Sequence, residues 1–490
     1  MIGDKQKRAV LFGFFFTFAT QFFKFFYGIC VTMALSRLLS PDDYGKFAMA
    51  SVFAGLLAAF RDGGLSSASI QVATLSDVQQ SSLFWMNVVL GFITATLLVM
   101  ISPLVSSIYG QSGIVEIVVA LSSTFLFVGL TNQHFSLLHR NMDFRIVSII
   151  EVVSLVLSSI FGILSALSGA KYWSLVIMSI SASFVKMVLV WSYVNWRPLF
   201  IFDWTQVRAL FRFGGQITLM RFFDTVASSL DSILLGRFYS SDMVGSYTRA
   251  QNLMLIPLSQ MMPPLLSVSL PYLSRISGKS KQFSELFLRI LLITSICSSF
   301  VAVTLFVLSD VLVRLVLGSQ WTDSAVILMA LVGPSWFIPV SSFYVSALTA
   351  SGRGRTLVSW GFWKNLITGV SIIIGISWGG VGVSISLSIT SFVLLLPVLN
   401  LLTVNSGIAS QLDLWLVNLR SIFVGVFAAC VLSSVRPMIS SYFNFYETAV
   451  LILCANLFIH FFAIIFFKSS RNLFFSICSG ISMGLRRYAD

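Results

Sequence analysis

The sequence predicts an all-α integral membrane protein, and three observations carry that prediction. Of 490 residues, 57% are hydrophobic and only 10% are charged, where a soluble protein carries about 25% charge. The apolar residues come in runs of roughly 20, long enough to cross a hydrocarbon core about 30 Å thick as helices. The runs do not alternate apolar with polar residues, as the strands of a membrane β-barrel must. Together these exclude a soluble enzyme, a disordered chain and a disulfide-rich secreted scaffold.

We read about fourteen spans: 9–36, 44–64, 82–108, 114–136, 146–168, 172–194, 213–236, 243–268, 286–308, 325–349, 356–377, 381–403, 415–435 and 446–467. The first is too long for a signal-peptide core and lacks a small-residue cleavage site, so it reads as a retained span. Sharing 490 residues among fourteen spans leaves roughly 35 for each helix and its connection, too few for a folded extramembrane domain. Pro257, Pro263, Pro264 and Pro271 punctuate span eight and predict kinks there. The tail, 469–490, mixes Leu473, Phe474 and Phe475 with Arg471, Arg486 and Arg487 and reads as a cytoplasmic amphipathic segment at the interface. Neither the five cysteines nor His134, His139 and His460 have metal-site spacing.

The net charge of +13 would suggest nucleic acid in a soluble chain. Here the basic residues sit mostly in short connections, where they set topology. With the N-terminus inside, inner segments hold nineteen Lys and Arg. Outer ones hold six: Arg37, Lys46, Lys171, Arg237, Arg314 and Arg436. Such an excess orients the chain, and an even span count puts both termini in the cytoplasm.

Residues 35–50 repeat at 235–250. Leu35, Arg37, Ser40, Asp42, Gly45 and Ala50 match Leu235, Arg237, Ser240, Asp242, Gly245 and Ala250 without a gap. Six spans separate the copies, so both point the same way, and the repeat is parallel about an axis along the membrane normal. Two such halves facing each other form a transporter architecture with the substrate site near the midplane. The expected domains are an N-lobe at 1–200 (spans one to six), a C-lobe at 201–405 (spans seven to twelve), and accessory spans thirteen and fourteen at 406–468.

The run L-S-R-L-L-S-P-D-D-Y-G at 35–45 and the run L-D-S-I-L-L-G-R-F-Y-S-S-D-M-V-G-S-Y at 230–247 closely resemble the hairpin signatures of bacterial polysaccharide transporters. These are the Wzx-type flippases of the multidrug/oligosaccharidyl-lipid/polysaccharide (MOP) superfamily. S-A-S-I-Q at 67–71, F-W-M-N at 84–87, W-R-P at 196–198, R-F-G at 212–214 and G-S-Q-W at 318–321 are similar to its colanic-acid-exporter branch. The resemblance covers residues 1 to about 430. It implies the MOP flippase fold, a cavity between two six-helix lobes, a bacterial inner-membrane location and a role in exopolysaccharide or O-antigen biosynthesis. The implied cargo is an undecaprenyl-diphosphate-linked oligosaccharide, moved from the cytoplasmic to the periplasmic leaflet, with polysaccharide polymerase or assembly proteins as expected partners besides membrane lipid. No nucleic acid and no resident cofactor is expected.

A charge at mid-bilayer costs roughly 2.5–3.5 kcal/mol on insertion scales, so it faces a cavity or a partner. Span one carries Thr17, Gln21, Lys24 and Gly28 on one face. Span seven carries Arg221, Asp224, Ser228 and Asp231 on one face. The offset of 200 aligns the two stripes. Lys24, Arg221, Arg249 and Lys364 are the candidate cations for a diphosphate, because Arg pairs with phosphate bidentately and Lys acts as a point charge. Gln21, Asp62, Asp224, Ser228 and Asp231 are candidate polar or coupling residues, with H⁺ or Na⁺ as coupling ion. Each has a structural reading beside it: Lys24 in a buried pair with Asp224, Arg221 neutralised by Asp224, Lys364 snorkelling to the interface, and Asp62 paired with Arg61. Asp42 and Asp43 read as a helix start rather than as catalytic acids. The alternative function is a cation-coupled multidrug antiporter on the same fold. It is disfavoured because four core cations outnumber Asp224 and Asp231.

Overall fold

The computed structural model describes residues 4–61, 75–111, 113–277 and 280–467; the tail 469–490 and Asp62 lie outside the described residues. The described residues of every predicted span are helical, with α1 (Asp4–Leu38), α2 (Pro41–Arg61), α3 (Asp77–Tyr109), α4 (Ile114–Arg140), α5 (Phe144–Leu167), α6 (Trp173–Tyr193) and α7 (Trp204–Phe238). These are followed by α8 (Ser241–Arg275), α9 (Ser280–Val307), α10 (Ser309–Val316), α11 (Thr322–Ala330), α12 (Val332–Ala350), α13 (Gly354–Gly375), α14 (Gly379–Thr390), α15 (Leu396–Asn405), α16 (Gln411–Ser440) and α17 (Phe445–Phe466). Among the described residues, nine helices are long and apolar enough to cross a membrane, or up to eleven when bent pairs are included. The run Gly354–Asn405 counts once there, yet it folds back on itself. The Ser371 hydroxyl lies 2.8 Å from that of Ser386 and 2.8 Å from that of Thr390, whereas 15 residues of straight helix would separate them by about 22 Å. Gly375 and Gly382 permit the turn, because a Cβ on Gly375 would lie 2.7 Å from the Gly382 carbonyl oxygen.

Lipid acts as the solvent. Large apolar side chains such as Phe92, Phe362, Phe423 and Phe458 point outward, and the apolar interior also holds small hydroxyls such as Ser295, Ser298, Ser299, Ser384 and Ser388. Small residues let helices approach closely where no hydrophobic effect drives them together; their hydroxyls return to their own helix, as Ser298 does to the Thr294 carbonyl at 2.7 Å, or reach a neighbour, as Ser388 does to the Ala330 carbonyl. Helix ends follow local chemistry. Ser76 and Gln79 form a capping box at the start of α3, and Gly110 (φ 63°) closes its end. α8 runs from Ser241 to Arg275 through all four of its prolines.

The described chain divides into two compact units. The first is Met1–Ser246 with Val316–Gln320, and the second is Tyr247–Leu315 with Trp321–Asp490. In the first, α3 packs on α4, α5 on α6, α1 on α5, and α7 on α2. In the second, α9 is central, packed by α12, α16 and α17. A fully buried Tyr344–Asn400–Asn418 cluster ties α12, α15 and α16: the Tyr344 hydroxyl donates to Asn400 Oδ1 at 2.7 Å and accepts from Asn418 Nδ2 at 2.8 Å.

Within the first unit the two copies of the repeat meet. The axes of α1 and α2 diverge by 118° across the break after Leu38. Asp43 then caps α2: its Oδ2 accepts from the Ser40 backbone N–H at 3.0 Å and hydroxyl at 2.8 Å, and its own N–H donates to Ser40 Oγ. Asp43 Oδ1 also accepts the Tyr172 N–H at 3.0 Å. Asp42 accepts from Lys46 Nζ at 2.7 Å and from the Ser241 hydroxyl. A Cβ on Gly45 would overlap the Ser241 carbonyl oxygen, and a Cβ on Gly245 would overlap that of Pro41. The offset of 200 turns each of these contacts into the other. The 316–320 segment joins the same knot: Gln320 Nε2 donates to the Ser36 and Leu39 carbonyls at 2.6 and 2.9 Å. Asp42 and Asp43 are thus structural, as a helix start should be.

Candidate functional site

The polar residues of α1 lie on the helix that leans on α5. Tyr27 and Ser159 hydroxyls meet at 2.6 Å and fasten the two helices. One turn earlier, Lys24 Nζ donates to Glu151 Oε2 at 2.7 Å, and the side chains remain 30% and 34% exposed. Lys24 is therefore paired, but with Glu151 rather than Asp224. Gln21, a turn further back, is exposed.

On α7 the predicted stripe divides. Asp224 and Ser228 are exposed, and the Ser228 hydroxyl donates to the Thr225 carbonyl at 3.1 Å. Asp231 is buried, and its Oδ1 accepts from the Ser232 N–H at 2.6 Å and hydroxyl at 3.2 Å. The Arg221 side chain lies outside the described residues, as does that of Arg61, the expected partner of Asp62. Among the described residues, α1 packs chiefly on α5 and α7 on α2 and α3, so the two stripe-bearing helices rest on different supports. Arg249 on α8 and Lys364 on α13 are half-buried and belong to the second unit.

The structure thus brings together one pair, Lys24 with Glu151, that the sequence reading did not join. Glu151 is the lone charge between Ile146 and Ser168. The cost of placing a charge in hydrocarbon, which singled out Lys24, applies to it equally. A second group the reading left out is an aromatic cluster in the first unit. His134 is fully buried, 4.6 Å centroid to centroid from Trp191 and 5.2 Å from Trp196. Arg197 stacks over Trp191 at 5.4 Å and donates to the Trp191 and Trp196 carbonyls at 2.9 Å each. Aromatic rings with one wet end are typical of a membrane interface. Among the described residues no group of three His, Cys, Asp or Glu could hold a metal ion.

The profile of a family described as "Polysaccharide biosynthesis protein" matches residues 34–326. Curated relatives include the teichuronic acid biosynthesis protein TuaB of Bacillus subtilis (strain 168), 26% identical over 65% of this chain and 66% of TuaB. The lipopolysaccharide biosynthesis protein WzxC of Escherichia coli (strain K12) is 23% identical over 76% of this chain and 78% of WzxC. The succinoglycan biosynthesis transport protein ExoT of Rhizobium meliloti (strain 1021) is 23% identical over 71% and 69%. Among solved structures, the lipid II flippase MurJ in an inward closed conformation superposes with a TM-score of 0.74 at 15% identity, covering 94% of this chain and all of MurJ. An inward-facing multidrug-resistance MATE transporter of the MOP superfamily gives 0.62 at 14% identity, covering 78% and 94%. At such identities these likenesses speak for the fold alone.

Proposed function

We infer the function from kinship and from the charges inside the spans: the chain belongs to the polysaccharide biosynthesis protein family, and we propose that it is a lipid-linked oligosaccharide flippase. Its cargo is an oligosaccharide on a polyprenyl diphosphate, carried from the cytoplasmic to the periplasmic leaflet of the bacterial inner membrane for assembly of a surface polysaccharide. It is a transporter rather than an enzyme. The finer architecture belongs to the same proposal: fourteen spans, two parallel six-helix lobes that rock in alternating access, two accessory spans and cytoplasmic termini.

One observation carries the reading. Lys24 keeps an ammonium within the apolar run of predicted span one, about a third of its side chain open, against a single carboxylate. A charge so placed faces water rather than acyl chains, and a diphosphate can replace a lone carboxylate as its partner. Arg221, Arg249 and Lys364 complete the proposed set of cations, Gln21 and Ser228 offer neutral partners for sugar hydroxyls, and the prenyl tail stays in lipid. Counting Glu151 narrows the excess of core cations over acids, to four against three, so charge alone no longer decides against a cationic cargo. The family supports the anionic cargo: TuaB, WzxC and ExoT are named for the biosynthesis of teichuronic acid, lipopolysaccharide and succinoglycan.

Deleting the gene should abolish one surface polysaccharide. Complementation by Lys24→Ala, Arg221→Ala and Arg249→Ala at wild-type protein levels should fail to restore it. Normal polymer from all three variants would overturn the cationic site. Normal polymer in the deletion strain, with new sensitivity to cationic drugs, would point to the antiporter instead.

A further inference from the structure

We propose that Glu151 is the resident counter-ion of Lys24, displaced from the ammonium when the diphosphate of the cargo binds, so that a carboxylate on α5 sets the affinity of a cation on α1. This rests on the reading of Lys24 as a cargo-binding cation.

Lys24 and Glu151 are the only charges in the predicted spans 9–36 and 146–168, and they meet although 127 positions apart in sequence. Left alone in a span, each would be a stranded charge, so the empty protein needs both. The contact is nevertheless built to be released. It is a single 2.7 Å hydrogen bond, and no other hydrogen bond holds the Glu151 carboxylate among the described residues. The helices do not depend on it, because Tyr27 and Ser159 join them independently at 2.6 Å. About a third of each side chain is open, leaving ammonium donors accessible to a phosphate oxygen. When phosphate takes the ammonium, the carboxylate gives up its one hydrogen-bond partner among the described residues, so its charge competes directly with that of the cargo.

No other group answers this description near the pair. α5 is packed by α1, α6 and α4, and Lys24 is the one cation within 4.0 Å of Glu151 among the described residues. On α6, Lys186 lies over the Phe135 ring at 5.5 Å. On α4, His134 faces Trp191 and Trp196, His139 packs between Phe135 and Phe144, and Arg140 ends the helix. Arg145 lies in the first turn of α5 itself.

The test uses the full chain in nanodiscs and radiolabelled farnesyl-diphospho-N-acetylglucosamine, a diphosphate diester that keeps both charges between pH 4.5 and 8. Glu151→Gln should bind about three- to fivefold tighter than wild type at pH 8, the range a half-exposed ion pair reaches. Glu151→Asp, which keeps the competing charge, should show no such gain. Lys24→Ala should bind about ten- to hundredfold more weakly. A Glu151→Gln protein that binds no tighter than wild type, or one weakened as far as Lys24→Ala, would overturn the counter-ion role and leave Lys24 as a cargo cation. Equal binding by Lys24→Ala and wild type would overturn the reading of Lys24 itself.

Discussion

At the scale of single residues, the charges divide into those that hold the fold and those left open. Asp42 belongs to the first kind and precedes the apolar run of α2. Burial alone would raise its pKa, but the hydrogen bonds from Lys46 and Ser241 outweigh burial and hold the carboxyl below its ordinary 3.8. A depressed folded-state pKa stabilises above the unfolded value and loses that contribution as pH falls through the folded one. Wild-type unfolding temperature in detergent should therefore drop once pH goes below 3.8. Asp42→Asn should be less stable at pH 7 and show a shallower drop in acid. Lys24 was legible in the sequence because a lone ammonium in an apolar run has no cheap place to go. Glu151 obeys the same rule, but the repeat at offset 200 aligns span one with span seven and gives span five no share, so it does not point to Glu151. The partner of a membrane charge is set by tertiary packing, here α1 on α5, which no spacing within either helix encodes.

At the scale of elements, the helices were legible and their breaks less so. Long apolar runs fix where a helix must be, since every backbone group in lipid needs an internal partner. They do not fix whether two consecutive helices are separate crossings or one bent one. Span ten is built from α11 and α12, a pair bent by 49°, and the bend falls just before Gly333 and Pro334, where proline cannot donate to the carbonyl four residues back. The repeat signature was legible as sequence, while its reason became visible only in the close approach of Gly45 and Gly245 to the opposite carbonyls. Gly45→Ala and Gly245→Ala should each destabilise by about 1–3 kcal/mol, the usual cost of overpacking, read as a lower unfolding temperature in detergent. Gly55 has nothing within 4 Å of its missing Cβ. Gly55→Ala should be neutral or stabilising by about 0.5–1 kcal/mol, since alanine is the better helix former.

For the whole molecule, composition determined the solvent: many Phe and Leu side chains are exposed, and the buried apolar residues share the interior with small hydroxyls. The distribution of Lys and Arg predicts orientation, which a reporter tests directly. Alkaline phosphatase fused after Lys468 should be inactive and a green fluorescent protein there should fluoresce, as expected for a cytoplasmic end. An active phosphatase would break the even span count or the orientation. The cargo's sugars leave no such mark, because hydroxyl recognition by Gln and Ser side chains has no fixed spacing along a helix.

The mutual seating of Gly45 and Gly245 has the logic of a self-complementary dimer interface written into one polypeptide: what residue 45 does to residue 241, residue 245 does to residue 41. A bulkier side chain on either partner collides with main chain that cannot be trimmed by mutation. At this crossing the two copies of the 35–50 repeat are therefore tied together: neither glycine can be enlarged without displacing the backbone of the other copy.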